Sequence, residues 1–316
     1  MKFTDEQLKL YATPLSVSEN QKCLNTIGMV RDALKELGFT DDGKQFKKMY
    51  DDTFDYSLNM RSLKEHRKVK IFIQGSYANN TNVRTESDVD IAVVQEEFFN
   101  TENCSSRLNL QVDRDYNYSS STPSSKTFKD EVQECLVNKF GNNVERKNKY
   151  IKVNGNAYIK DADIVPCRAY RNSVTGILIT PDIGEIIINY PEQHIENGKK
   201  KNEDTNFYYK KMVRIIKKIR YLMEENGYSE ASEVSSFGLE SLLWNLPDAV
   251  FTNYSNYKFE FKVIVNYLYN HKSYIGNYKE ANGINKLVPS LQDVHKYESF
   301  IDKLKEFYNY DIKENA

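Results

Sequence analysis

Ile73-Gln74-Gly75-Ser76-Tyr77-Ala78-Asn79-Asn80-Thr81 and, further on, Ser87-Asp88-Val89-Asp90-Ile91 are the stretches whose reading decides the fold. Gly75-Ser76 closes a short β-prone run, Val69 to Gln74. Asp88 opens another, Asp88 to Val94, and eleven residues separate it from Ser76. Along a strand, residues two apart project from the same face. Asp88 and Asp90 can therefore hold one hard cation together, while Val89 and Ile91 point the other way into a core. Magnesium prefers a few carboxylates plus phosphate oxygens. Gly75-Ser76 offers a backbone unobstructed by a side chain, plus a hydroxyl, and both suit a phosphate. Asp-x-Asp alone equally describes the solvated side of an edge strand. A Gly-Ser turn at this spacing, directly after a strand, favours the chemical reading.

Upstream, Ser16 and Ser18 are N-cap candidates for a long amphipathic helix. Ile27, Val30, Leu34 and Leu37 recur in it at helical spacing, and Gly38 closes the pattern. Residues 41–66 are charged and aromatic, with weak periodicity. Downstream, residues 112–126 are rich in Ser, Asn and Asp and read as a mobile surface loop. Phe128 to Phe140 reads as a helix stopped by Gly141. Tyr150 to Val153 and Ala157 to Ile159 flank Asn154-Gly155, which predicts a tight hairpin. Its second strand runs on through Asp161-Ala162-Asp163-Ile164-Val165 to Pro166. Ile177 to Ile188 predicts another hairpin, turning at Pro181-Asp182.

After a polar, lysine-rich segment, 196–205, the pattern becomes helical. Met212, Val213, Ile216, Ile219 and Leu222 form one stripe, and Gly227 stops it. Phe237 to Trp244, 256–270 and 291–308 predict three more helices. The order is a mixed α/β half followed by an all-helical half, with no internal repeat.

The chain of 316 residues suffices for one large domain or two modest ones, and 40% apolar residues allow a substantial core. A formal net charge of −1 gives neither a global basic field for nucleic acid nor a cation run for a membrane surface. Cys23, Cys104, Cys135 and Cys167 form no Cys-x-x-Cys pair, and His66, His194, His271 and His295 show no metal-like spacing. The Met-Lys-Phe-Thr start lacks an apolar signal core, and no stretch approaches membrane-spanning length. A soluble, cytoplasmic protein with reduced thiols is the expectation.

Phosphoryl transfer assisted by two metal ions needs a third carboxylate. Asp161 and Asp163, two apart on one strand, are the candidates. Asp163 directly precedes Ile164-Val165-Pro166, where the strand enters the core.

The strand, Gly-Ser turn and Asp-x-Asp resemble the nucleotidyltransferase β superfamily. Ala162-Asp163-Ile164-Val165-Pro166, Asn189-Tyr190-Pro191-Glu192-Gln193-His194, Met212-Val213-Arg214-Ile215-Ile216-Lys217 and Ser235-Ser236-Phe237 extend the likeness. With these the chain resembles the bacterial CD-NTases (cGAS/DncV-like enzymes) of anti-phage signalling, and clade E among them. The resemblance runs from the first helix to about residue 250. It implies an α+β fold: a mixed-sheet, polymerase β-like nucleotidyltransferase core on a long N-terminal spine helix, packed against a C-terminal helical lobe. Residues 1–200 would form the core and 201–316 the lobe.

The resemblance also places the third carboxylate at Asp163. Asp88, Asp90 and Asp163 are then catalytic and bind two magnesium ions, which manganese can replace. NTP substrates would be held at Gly75 and Ser76. In this family a lysine on the first helix of the helical lobe and a serine opening the next contact the donor triphosphate, and Lys217 and Ser236 match those positions. A point cation and a helix-start hydroxyl both suit phosphate. The alternative for Lys217 is a solvated cation on a basic face, beside Lys210, Lys211, Lys218 and Arg220; Ser236 equally fits an N-cap. Tyr190 can stack on a base and Asn189 can read its edge, or they can be a core ring and a turn residue.

The activity implied is synthesis of a cyclic oligonucleotide, most simply a dinucleotide, that a downstream effector detects. The zinc ribbon of the animal DNA sensors is missing, so no DNA activator is expected. A transferase acting on RNA, a protein or a small molecule is the alternative, and would want a basic groove or an added acceptor domain. A non-catalytic nucleotide-binding protein is opposed by the three carboxylates. The polar end Lys313-Glu314-Asn315-Ala316 permits the C-terminal conjugation to other proteins found in some relatives.

Overall fold

The computed structural model describes residues 2–43, 46–48, 53–64, 66–83, 88–100, 126–171 and 174–309. Ser87, Cys104, the tail Lys313–Ala316 and all but the last residue of the 112–126 loop lie outside them. The contacts divide the chain into two units. Ser16–Ala78 and Asp88–Glu192 form one; Met1–Leu15, Asn79–Ser87 and Gln193–Ala316 form the other. A single boundary at 200/201 misses this interleaving, because the chain crosses between the units more than once.

A short helix, α1 (Asp5–Tyr11), belongs to the second unit, and the first unit begins with α2 (Val17–Leu34). Ser16 caps α2 by accepting the Glu19 N–H, and the Glu19 carboxylate returns a bond to the Ser16 N–H. Ser18 lies inside the helix. A 3-10 turn, Lys35–Leu37, leads to Gly38 at φ 80°, the left-handed conformation that ends helices. Strands β1 (Thr40–Asp41), β2 (Ser57–Ser62), β3 (Arg67–Gln74), β4 (Val89–Asn100), β5 (Val144–Arg146), β6 (Ile151–Val153), β7 (Ala162–Arg171), β8 (Thr175–Ile179) and β9 (Ile187–Asn189) build one mixed sheet. Among the described residues two helices interrupt them, α3 (Gly75–Ala78) and α4 (Phe128–Phe140).

The order is β1-β2-β3-β4-β7-β6-β5, with β8 beside β7 and β9 beside β8. β4 and β7 run parallel, while the other described pairings are antiparallel. β2 lies where the sequence showed weak periodicity. Its buried residues, Leu58, Met60 and Ser62, do alternate, but the window is short and one of the three is polar. β7 takes β6 along 162–164 and β8 along 168–171. Pro166, which has no N–H to give, falls between these two partners.

One sheet face carries Val69, Ile71 and Ile73, Val89, Ile91 and Val93, and Ala162 and Ile164, all with no exposed surface. α2 and α4 pack against the sheet there, through Cys23, Ile27 and Val30 and through Val132 and Leu136. The other face carries an apolar cluster of Phe72, Ala92, Val94, Val165, Cys167, Ala169, Ile177 and Ile179.

The tight hairpin predicted at Asn154-Gly155 is not formed. β6 meets β7 directly, Val153 opposite Ala162, and 154–161 make a longer loop. A side chain on Gly155 would stand 2.5 Å from the Asp161 nitrogen. Gly155 therefore serves a close approach of two backbones. The hairpin turning at Pro181-Asp182 is present as β8–β9.

The second unit holds α1 (Asp5–Tyr11), α5 (Pro191–Asp204, which begins in the first unit), α6 (Tyr209–Glu225), α7 (Ser236–Trp244), α8 (Tyr257–His271) and α9 (Leu291–Asn309). α1 carries a capping box, Thr4 with Gln7. The stretch 196–205, which reads as a polar segment, is the second half of α5. Pro191 starts that helix and is buried, and beyond it Ile195 is the one large apolar buried side chain, too little for a visible stripe. In α6, Met212, Val213, Ile216 and Ile219 are wholly buried, each contributing about 1.5–3 kcal/mol. Among the described residues no helix is long and apolar enough to cross a membrane.

Candidate active site

Four residues stand in one row across the sheet. Gln74 of β3 lies opposite Asp90 of β4, Asp90 opposite Asp163 of β7, and Asp163 opposite Lys152 of β6. Alternation along each strand puts these side chains, and Asp88 just before β4, on the face opposite α2 and α4.

Gly75 begins α3 at φ 67°. An added Cβ there would lie 2.5 Å from Asp90 Oδ2. The backbone of the Gly-Ser turn thus lies directly against the Asp90 carboxylate. Ser76 follows, half-buried.

Asp88 accepts a hydrogen bond from Lys152 Nζ, 2.9 Å from its Oδ2. This bond, with the nearby carboxylates, raises the Lys152 pKa. Asp163 behaves differently. Burial, then repulsion from Asp88, pushes its pKa up to about 6, and Lys152 pulls it partly back. Its Oδ1 is buried with no hydrogen-bond partner among the described residues. Asp161, the other candidate, is exposed and accepts the Gly155 N–H through Oδ1, a loop role.

Among the described residues no three carboxylates, imidazoles or thiols already converge as a metal cluster. The donors nonetheless fit a hard divalent cation. They are all oxygens, one buried oxygen lacks a partner, and added positive charge would relieve the repulsion that lifts Asp163.

Asn189 and Tyr190 part company. Asn189 lies opposite Ile177 in the β8–β9 pairing, so it shares the face of the carboxylates. Tyr190 turns to the other face and is 7% exposed, packed with Tyr170 and Leu178. Its ring meets that of Tyr170 edge-on, 6.4 Å between centroids. The expectation that Tyr190 stacks on a base is corrected: its ring is part of the core.

In the second unit Lys217 also departs from expectation. It is 1% exposed, and its Nζ donates to Glu240 Oε2 at 2.7 Å and to Thr81 O and Oγ1 at 3.2 Å each. The ammonium is committed inside the fold and does not present itself to a phosphate. Ser236 is the first residue of α7, and Ser235 is the N-cap, accepting the Gly238 N–H. The cation that reaches Ser236 is Arg220, with NH2 3.4 Å from its Oγ. Arg220 is 9% exposed; its NH1 pairs with Glu224 at 2.8 Å, while among the described residues its Nε has no hydrogen-bond partner.

A mixed sheet that carries a Gly-Ser turn and three carboxylates on one face defines a nucleotidyltransferase. The nucleotidyltransferase domain family matches residues 59–174, and the cGAS/DncV-like nucleotidyltransferase C-terminal helical domain family matches residues 196–309. The chain belongs to the cGAS/DncV-like nucleotidyltransferases (CD-NTases), in the CdnE group, clade E. It is 42% identical to the cyclic GMP-AMP synthase CdnE03 of Staphylococcus schleiferi, over 98% of each chain. It is 34% identical to the cyclic dipyrimidine nucleotide synthase CdnE of Cecembia lonarensis, over 94% of each. Among solved structures, it resembles the Elizabethkingia meningoseptica CdnE cyclic dinucleotide synthase with GTP and Apcpp. That match has a TM-score of 0.73 and 30% identity, covering 98% of this chain and 100% of the other.

Proposed function

We propose that this chain joins two NTPs into a cyclic dinucleotide, without template or DNA activator. One observation carries the reading. The Asp90–Asp163 pair beside Gly75 is intact in a chain that aligns end to end with synthases named for cyclic products.

Asp88, Asp90 and Asp163 are the proposed ligands of two magnesium ions, replaceable by manganese. When bound, the ions supply positive charge to the triphosphate and make the attacking hydroxyl more acidic. The Gly75 backbone and Ser76 hydroxyl hold a phosphate of the donor. Arg220 and Ser236, rather than Lys217, contact its triphosphate. Asp163 draws the proton from the acceptor hydroxyl as its oxygen attacks the α-phosphorus and pyrophosphate leaves. The linear product then turns over, its own triphosphate becomes the donor, and a second displacement closes the ring. Asn189, an amide on the carboxylate face, reads a base edge. The product would act in the cytoplasm on an effector of anti-phage signalling.

The relatives are named for different base pairs, so the test supplies all four NTPs with magnesium and then phosphatase. A cyclic product has no terminal phosphate and survives. Products that are all phosphatase-sensitive, or that form only when RNA is added, would replace this reading with terminal transfer to an acceptor.

A further inference from the structure

The connection that follows the Gly-Ser helix is gripped by a buried ionic cluster. Past Ala78 the chain passes into the second unit, where Asn79, Thr81 and Asn82 have no exposed surface. Thr81 Oγ1 donates to Glu240 Oε2 at 2.6 Å, the oxygen that also accepts from Lys217. His194 Nε2 lies 2.8 Å from Glu240 Oε1, and the same ring meets the Asn79 amide at 3.2 Å. Arg214 donates to the carbonyls of Asn80 and Ala12. Asn79, Asn80 and Thr81 are thus all held, and Thr81 is the one tied directly to the Glu240–Lys217 pair; among the described residues the Asn82 side chain makes no hydrogen bond.

Glu240 and Lys217 are each 1% exposed. Burial opposes both charges. Lys217 and His194 nonetheless outweigh it for Glu240 and hold that carboxyl well below its usual range. Taking two such charges out of water is costly, and an apolar pair of similar volume is often as stable. What the ionic cluster adds is direction. Three donors converge on one carboxylate, and Lys217 binds the Thr81 carbonyl as well as its hydroxyl. Thr81 stands three residues beyond Ala78, the end of the helix that Gly75 and Ser76 begin.

We infer that Glu240 is a positioning residue for nucleotidyl transfer: with Lys217 it clamps Thr81 and so fixes the downstream end of the Gly75-Ser76 turn. The inference rests on the transferase reading above. It also explains why Lys217, on the basic helix α6, points at protein oxygens.

Three variants of the full chain test it. Thr81→Val removes only the hydroxyl, Thr81→Ser restores it, and Lys217→Met with Glu240→Leu replaces the pair by apolar side chains. We expect Thr81→Val and the paired variant to melt within a few degrees of wild type while kcat falls about tenfold or more and KM for NTPs moves less than about twofold. Thr81→Ser keeps its kcat. Backbone amides of residues 76–82 should exchange hydrogen about tenfold faster in the paired variant, with exchange in α6 unchanged. Unchanged kcat in either folded variant overturns the clamp, as does wild-type exchange at 76–82. If the paired variant does not fold, Thr81→Val carries both readouts. If the wild type makes no product from NTPs, the transferase reading fails, and the exchange comparison still decides whether the clamp exists.

Discussion

Gly75 and Asp90 touch: a side chain at Gly75 would begin 2.5 Å from the Asp90 carboxylate oxygen, on a residue whose φ is 67°. Gly75→Ala therefore has to move either the turn or the carboxylate. We expect nucleotide turnover to fall by about a hundredfold or more, with a stability loss of only about 1–3 kcal/mol. Kinetics beside a thermal melt separate the two, and wild-type kcat in Gly75→Ala would refute the contact's importance.

Asp88→Asn, Asp90→Asn and Asp163→Asn should each abolish product formation while keeping the fold, as circular dichroism and product analysis can report. Asp163→Asn has a further signature in metal-free protein. The folded pKa of Asp163, about 6, lies above its ordinary value. The stability tied to its proton is therefore complete below the unfolded pKa and is lost as pH rises through about 6. At pH 8 the asparagine variant should be more stable than wild type by roughly 1 kcal/mol after allowance for solvent screening, a Tm gain of a few degrees. At pH 4 that gain should vanish. A gain independent of pH would point to packing instead of charge.

Arg220→Ala and Ser236→Ala should raise KM for NTPs about tenfold and leave the metal requirement unchanged, because one charge-assisted contact to phosphate is worth about 1.5–3 kcal/mol. Unchanged KM in Arg220→Ala would remove it from the donor site. Glu240→Ala should instead act on the fold. It strands the buried Lys217 charge, at about 3–5 kcal/mol, and a denaturant melt reads the loss.

Burial pushes the thiols of Cys23 and Cys135 up to about 12 and that of Cys167 higher still. Iodoacetamide at pH 8 should leave all three unlabelled in native protein and label them in denaturant, as peptide mass spectrometry can show. Native labelling of any one would contradict its burial.

The placing of the carboxylates on one sheet face was legible in the sequence because its signals are local. Gly75-Ser76, Asp88-x-Asp90 and Asp163 before Ile-Val-Pro each need only a strand's period of two, and the period also sorts Asn189 from Tyr190 once the strand is known. Lys152 was hidden. It lies between Ile151 and Val153 and reads as any solvated strand lysine until β6 pairs with β7 and brings it to Asp88, 64 positions away. Lys217 was misread for the same reason. Its helical stripe showed that α6 is amphipathic, but its partner Thr81 is 136 positions distant, and no local pattern reports such a pairing. Arg220 and Lys217 sit on one basic helix and both are enclosed; only the packing tells that one pairs with Glu224 beside Ser236 and the other with Glu240.

The exchange of partners along β7 has an evolutionary consequence. Residues 162–164, next to β6, carry Asp163; residues 168–171, next to β8, lead to the hairpin that ends at Asn189; Pro166 stands between them. The half that carries Asp163 and the half that adjoins Asn189 share a strand but not a neighbour. Mutations in 175–189 can thus drift without disturbing the register of Asp163 with Asp90. On the proposed reading of Asp163 and Asn189, such a layout would let one lineage keep its chemistry fixed while its choice of bases diversifies.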